Sequence, residues 1–316
     1  MPRILALIVL LGLASLSHAI DTDASVPMKA VKVGTHSYYI EGLAGQASSE
    51  NQGFMSNAGF VVTRDGVVVF DSLGTVPLAR KMLGLIRSTT SKPVRRVIVS
   101  HYHADHFYGL QVFKEAGAEI WAHRNAGGLT TTEQARERFA QRKQDLFPWV
   151  DENTRFLEAD VYLDGDTDFS MGGVHFAIRH VGPAHSAEDL AMFIKEDGVL
   201  YAGDLVFKGR VPFVGDADSR AWLDSLDKLT AMKPRVMVPG HGAVSHSPTS
   251  DLALTRDYLT YLRSEIGKAV AEMEPFEEAY ARIDWSRFSG LPAFEAANRP
   301  NAYNTYLLME RELLAQ

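Results

Sequence analysis

Apolar residues along this chain recur at strand period first and at helical period towards the end. Val31 to Ile40 alternates enough to predict an opening strand. Residues 41–57 are rich in Gly, Ser and Asn, which predicts a long loop. Phe60-Val61-Val62-Thr63 and Val67-Val68-Val69-Phe70 flank Asp65-Gly66 and read as a hairpin, because glycine accepts the positive φ of a tight turn. Leu78, Met82 and Leu85 then take helical spacing behind a Thr75 cap and an early Pro77, and Lys92-Pro93 stops that helix. Val94 to Ser100 is a strand that leads into His101.

The same order recurs. Met192-Phe193-Ile194 and Val199-Leu200-Tyr201 flank a second Asp-Gly turn, Asp197-Gly198. The second strand of each hairpin runs out into an aspartate, Asp71 and then Asp204. A helix follows each time, the later one from about Asp218 to Met232 with Trp222, Leu226 and Leu229 on one face. Lys233-Pro234, a strand from Arg235 to Val238 and His241 complete the parallel. This predicts one α/β domain over residues 20–247, built from two pseudo-equivalent β-rich halves with helices outside and a metal site between them. Leu252 to Met273 and Tyr303 to Leu314 are helical in pattern, so residues 248–316 read as a helical extension packed on that domain, with a homodimer contact as its second use. Residues 123–150 form a charged helical insertion placed to cap a cleft.

Composition narrows the setting. Met1-Pro2-Arg3, the apolar run from Ile4 to Ala14 and Ser17-His18-Ala19 have the layout of a cleaved signal peptide over residues 1–19, so a periplasmic or secreted location is expected. That run is short for a membrane span and no later one is longer, so no stable anchor is expected after cleavage. With no cysteine, the chain has neither disulfides nor thiolate metal ligands. A formal charge of -7 argues against nucleic acid as a partner and leaves a small-molecule substrate.

The candidate chemistry is concentrated in His101-Tyr102-His103-Ala104-Asp105-His106, four ligand side chains in six residues at a strand's end. Imidazole and carboxylate suit a borderline divalent metal such as zinc. Alternation in an extended segment lets His101 and His103 share one ion while Asp105 and His106 serve another. His185, Asp204 and His241 leave the ends of second-half strands among small residues, Pro183-Ala184, Ala202-Gly203 and Pro239-Gly240. Five imidazoles and two carboxylates are what two metals need while keeping a position for water.

His-x-His-x-Asp-His followed by isolated His, Asp and His resembles the metallo-β-lactamase superfamily, with a match over roughly residues 30–245. The resemblance implies a four-layered αββα sandwich. It implies that His101, His103 and His185 hold one metal, that Asp105, His106 and His241 hold the other, that Asp204 bridges them, and that Asp71 orients the histidine loop. Two zinc ions are expected, ahead of iron or manganese. An aspartate at 204, where the best-known β-lactamases of this superfamily carry cysteine, is similar to the glyoxalase II, lactonase and phosphodiesterase branches. The layout also resembles exported metallo-hydrolases of sulfur-oxidation and quinoprotein gene clusters.

The implied activity is hydrolysis of an ester, thioester, lactone or lactam by a hydroxide held between the metals by Asp204 and Asp105. β-Lactamase activity is the doubtful part of that reading. The alternative is an iron-dependent persulfide-oxidising or non-catalytic metal-binding protein of the same fold. Phe54, Phe207, Lys208, Arg210 and Phe213 are expected to line the substrate pocket, because the 41–57 loop and the segment after Asp204 flank the metals in sequence.

Overall fold

The computed structural model describes residues 23–315; the expected signal peptide lies outside the described residues. β1 (Val31–Lys32), β2 (Ser37–Ile40), β3 (Ala58–Val62) and β4 (Val67–Phe70) form an antiparallel meander. Helix α1 (Val76–Thr89) crosses over to β5 (Val94–Ile98), which pairs with β4 in parallel. After α2 (Ala104–Phe107) and α3 (Leu110–Glu115), β6 (Glu119–His123) joins β5. Helix α4 (Glu133–Asp145) precedes β7 (Val161–Leu163), the last strand of this seven-stranded sheet.

The second sheet repeats the plan. β8 (Thr167–Met171), β9 (Val174–His180), β10 (Leu190–Ile194) and β11 (Val199–Phe207) are antiparallel, and α5 (Ser219–Ala231) crosses over to β12 (Val236–His241), parallel to β11. α6 (Pro248–Asp251), α7 (Ala253–Ala271), α8 (Phe276–Arg282) and α9 (Phe294–Leu314) follow.

Strand period explains the layering. Val67 and Val69 of β4 join a core with Met82 and Ile86 of α1, whereas Val68 and Phe70 enter the core between the sheets with Met192 and Tyr201. Leu200 and Ala202 of β11 face outward to Trp222 of α5 and Tyr258 and Leu262 of α7. Two outer cores and one central core make four layers, helix, sheet, sheet, helix. Both crossover helices start on side-chain caps: Thr75 accepts from the Leu78 N–H, and Asp218 from those of Arg220 and Ala221. The C-terminal helices pack on the second sheet through this shared core, so they form its outer layer.

The opening strand differs from its expected form: Val31 to Ile40 is split into β1 and β2. Asp197, from the turn between β10 and β11, accepts hydrogen bonds from the Thr35 N–H at 2.9 Å, the His36 N–H at 2.9 Å and the Ser37 hydroxyl at 2.7 Å. Gly34 makes this approach feasible, since a Cβ there would stand 2.4 Å from the Asp197 carboxylate. One buried carboxylate thus folds the break and ties the two halves together. Asp197→Ala leaves these donors without their acceptor and is expected to cost about 3 kcal/mol, read as a lower midpoint in urea unfolding.

Candidate metal centre

Both parallel crossovers deliver ligands to one edge of the sandwich. His101 follows β5, His103 precedes α2, and Asp105 and His106 occupy that helix's single turn. From the other half, His185 sits in the turn between β9 and β10, Asp204 within β11 and His241 at the end of β12. Their ligand atoms fall into two groups that could each hold a cation: His101, His103, His185 and Asp204, and Asp105, His106 and His241.

Asp204 faces both. Its Oδ2 lies 3.5 Å from His185 Nε2 and 3.9 Å from His101 Nε2, while its Oδ1 lies 3.1 Å from His106 Nε2 and 3.2 Å from His241 Nε2. Asp105 Oδ2 stands 3.4 Å from His241 Nε2 and 3.5 Å from His106 Nε2. Gly240 permits this convergence, because a Cβ there would come within 2.1 Å of Asp204 Oδ1.

Four of the imidazoles are oriented from behind. His106 Nδ1 reaches Asp71 Oδ2 at 2.8 Å, His185 Nδ1 the Phe213 carbonyl at 2.9 Å, His241 Nδ1 the Met55 carbonyl at 2.8 Å and His101 Nδ1 the Ser100 hydroxyl at 2.9 Å. A carboxylate or carbonyl partner accepts a hydrogen bond from Nδ1–H, which keeps the proton there and leaves the Nε2 lone pair for the centre. Ser100 passes the same constraint on, since its hydroxyl donates to Asp71 Oδ2 at 2.8 Å and so accepts from His101. Asp71 also accepts the Ser100 N–H at 2.7 Å and holds a left-handed φ of 62°. One aspartate therefore sets two histidines.

The residues fit divalent cations. His101 Nε2, Asp105 Oδ2, His106 Nε2 and Asp204 Oδ1 are buried without a hydrogen-bond partner, a state rare for polar atoms in folded proteins. Burial and the neighbouring imidazoles hold His101 and His103 well below the usual histidine range, and burial brings His185 down to about 4, which favours the neutral imidazole that a metal would take as a ligand. His106 goes the other way: burial opposes its proton, but Asp204, Asp105 and Asp71 together outweigh burial. Positive charge is favoured at that point, where a metal ion would replace the proton.

The expected pocket residues separate. Phe54 is buried in the first outer core, so the 41–57 loop turns that ring away from the metals. The loop acts instead through polar groups: the Met55 carbonyl on His241, the Ser56 hydroxyl on the Asp105 carbonyl, and Asn57 on Gly240, Pro239 and Gly242. Phe207 is fully buried and stacks behind His241, ring centres 5.0 Å apart, so it supports a ligand and lines no pocket. Lys208 is drawn off by Asp251 at 2.7 Å and faces α6. Phe213 borders the centre, and Arg210 stands behind His241. Arg210 is 6% exposed, with Nη1 2.8 Å from the Gly45 carbonyl and 3.3 Å from His241 Nδ1. Phe213 is 40% exposed, its ring 6.0 Å from that of His103.

The insertion helix α4 buries no residue and reaches the Phe213 segment through Gln134 and Arg138, 3.4 and 3.8 Å from Asp216. Sequence reasoning missed Ser100, the two orienting carbonyls and Glu188, whose carboxylate accepts the Tyr102 N–H between two ligands at 3.2 Å. Only Ser100 carried a signal, as the polar residue directly before His101. Asp71 Oδ2 accepts from both the Ser100 hydroxyl and His106, and Oδ1 accepts the Ser100 N–H, so an amide nitrogen in place of either oxygen sets a donor against a donor. Asp71→Asn is therefore expected to weaken zinc binding by about 10- to 100-fold, measured by competition with a chromophoric chelator.

Comparison with known proteins agrees with this geometry. The profile of the metallo-beta-lactamase superfamily matches residues 51–241. The chain is 25% identical to a linear primary-alkylsulfatase of Pseudomonas sp. over 237 residues, 64% of this chain but 44% of that protein, so it spans under half of that relative. It is 25% identical to a type 2 metallo-beta-lactamase of Elizabethkingia meningoseptica over 193 residues, 60% of this chain and 69% of the lactamase. Among solved structures, a metallo-beta-lactamase of Pontibacter korlensis superposes with a TM-score of 0.59 at 20% identity over 74% of this chain and 99% of its own. A stereoselective inverting sec-alkylsulfatase of Pseudomonas sp. gives 0.67 at 18% identity, over 89% of this chain and 50% of the sulfatase. With its profile match spanning every ligand of both groups, this chain belongs to the metallo-beta-lactamase superfamily.

Proposed function

We propose that this chain is a dinuclear metal-dependent hydrolase, with zinc the first candidate metal and an ester, thioester, lactone or lactam as substrate. The observation that carries the reading is Asp204, which turns one carboxylate oxygen to each ligand group. Two divalent ions so placed would lower the pKa of a coordinated water and polarise the bond to be cleaved. His101, His103 and His185 would hold one ion, and Asp105, His106 and His241 the other. The protein's own part is to hold the imidazoles in orientation from behind and to bring both carboxylates to the centre.

Arg210 adds a cation beside the second group, which favours a substrate bearing negative charge, and the exposed ring of Phe213 offers an apolar contact at the mouth. An imidazole at position 103, where flavodiiron proteins usually place a carboxylate, weighs against a di-iron redox site. Residues 1–19 support export to the periplasm or beyond.

Sulfate-ester hydrolysis is a second reading. The likeness to the sec-alkylsulfatase covers 89% of the chain, a span longer than residues 20–247, so it runs into the C-terminal helices. The test is metal analysis of the purified protein followed by hydrolysis of chromogenic lactam, lactone, thioester and sulfate-ester probes. Two zinc per chain with turnover of a carbonyl probe is the expected result. Turnover of the sulfate ester alone selects the second reading, and iron with oxygen uptake contradicts both. His103→Ala is expected to reduce turnover to background and lower the metal content; near wild-type turnover in a metal-analysed sample contradicts the assignment.

A further inference from the structure

We infer that Asn301, on the C-terminal helix α9, is a positioning residue for the three-histidine group. The inference rests on the reading of that group as a metal site. Asn301 is completely buried, and every polar atom of its side chain is engaged. Its Oδ1 accepts the Val214 N–H at 2.8 Å, and its Nδ2 donates to the Pro212 carbonyl at 2.7 Å and to the Tyr258 hydroxyl at 2.9 Å. One side chain thus grips the peptide groups on both sides of Phe213. The Phe213 carbonyl is the acceptor for His185 Nδ1.

This segment has no ladder of its own to fix it. Residues 208–217 lie in no helix or strand, and the extension supplies a further tie, from the Val211 N–H to the Pro292 carbonyl at 3.1 Å. Where the Phe213 carbonyl stands therefore depends on α9. If it moves away, His185 loses the partner that keeps its proton on Nδ1. The ring can then turn, or present an N–H where the lone pair belongs. The helical extension is in this sense part of the metal centre, although neither candidate ligand group takes a residue from it among the described residues.

Asn298 provides the control. It is equally buried one turn earlier, but its side chain meets only hydroxyls: Tyr258 at 2.9 Å and Tyr280 at 3.1 Å. Zinc affinity of the full chain, by chelator competition, and thermal midpoints would be compared for wild type, Asn301→Ala, Asn301→Asp and Asn298→Ala. Asn301→Ala should weaken one zinc equivalent by about 10- to 100-fold. Asn301→Asp keeps the acceptor for Val214 but loses both amide donors and turns an oxygen on the Pro212 carbonyl, so it should weaken that equivalent at least as far. Asn298→Ala should lower the thermal midpoint and leave zinc affinity unchanged. If Asn301→Ala does not fold, Asn301→Asp carries the test. Wild-type zinc affinity in the folded Asn301 variants would overturn the inference and leave the helix a packing role. A wild-type chain that binds no zinc would instead overturn the metal-site reading, and this inference with it.

Discussion

The structure depends on lone pairs being made to converge among buried side chains. Nε2 atoms of His106 and His241 face the same Asp204 oxygen at 3.1 and 3.2 Å, an arrangement repulsive unless positive charge stands between them. The fold sustains it by committing the outer nitrogens to acceptors: Asp71, the Met55 carbonyl and the Phe213 carbonyl. Each acceptor comes from a different part of the chain. Asp71 ends the first hairpin, Met55 lies in the long loop and Phe213 follows β11. The site is thus determined by the assembly of both halves and of the loops between them.

The repeated crossover explains why the ligands meet. In each half an antiparallel hairpin is followed by a helix and a parallel strand, and side chains leaving the strand ends gather at one edge. Asp71 and Asp204 occupy matching positions but divide the labour: Asp71 orients histidines from behind, while Asp204 faces the centre. The central core of Val68, Phe70, Met192 and Tyr201 locks the two sheets face to face, and Asp197 adds a polar tie across them.

Much of this was legible in the sequence because it is periodic or local. Hairpins, capped helices, the Lys-Pro stops and the histidine run follow from spacing and residue type, and they place the ligand side chains. What remained hidden was the direction of side chains in aperiodic segments. Phe54 and Phe207 lie near ligands along the chain yet turn into cores, because a large ring gains more from burial than from lining a polar cleft. Lys208 finds Asp251, a partner 43 residues away that no local pattern indicates. The opening strand breaks for a similar reason, since Asp197 is remote in sequence from the turn it holds. Carbonyl acceptors such as those of Met55 and Phe213 have no residue-type signature at all.

Whether two metal ions share Asp204 can be read from a crystal of the zinc-loaded protein with anomalous difference data at the zinc edge. Sharing gives two peaks, one against each Asp204 oxygen, the first surrounded by His101, His103 and His185 and the second by Asp105, His106 and His241. A single peak, or two peaks with Asp204 touching only one of them, would contradict it.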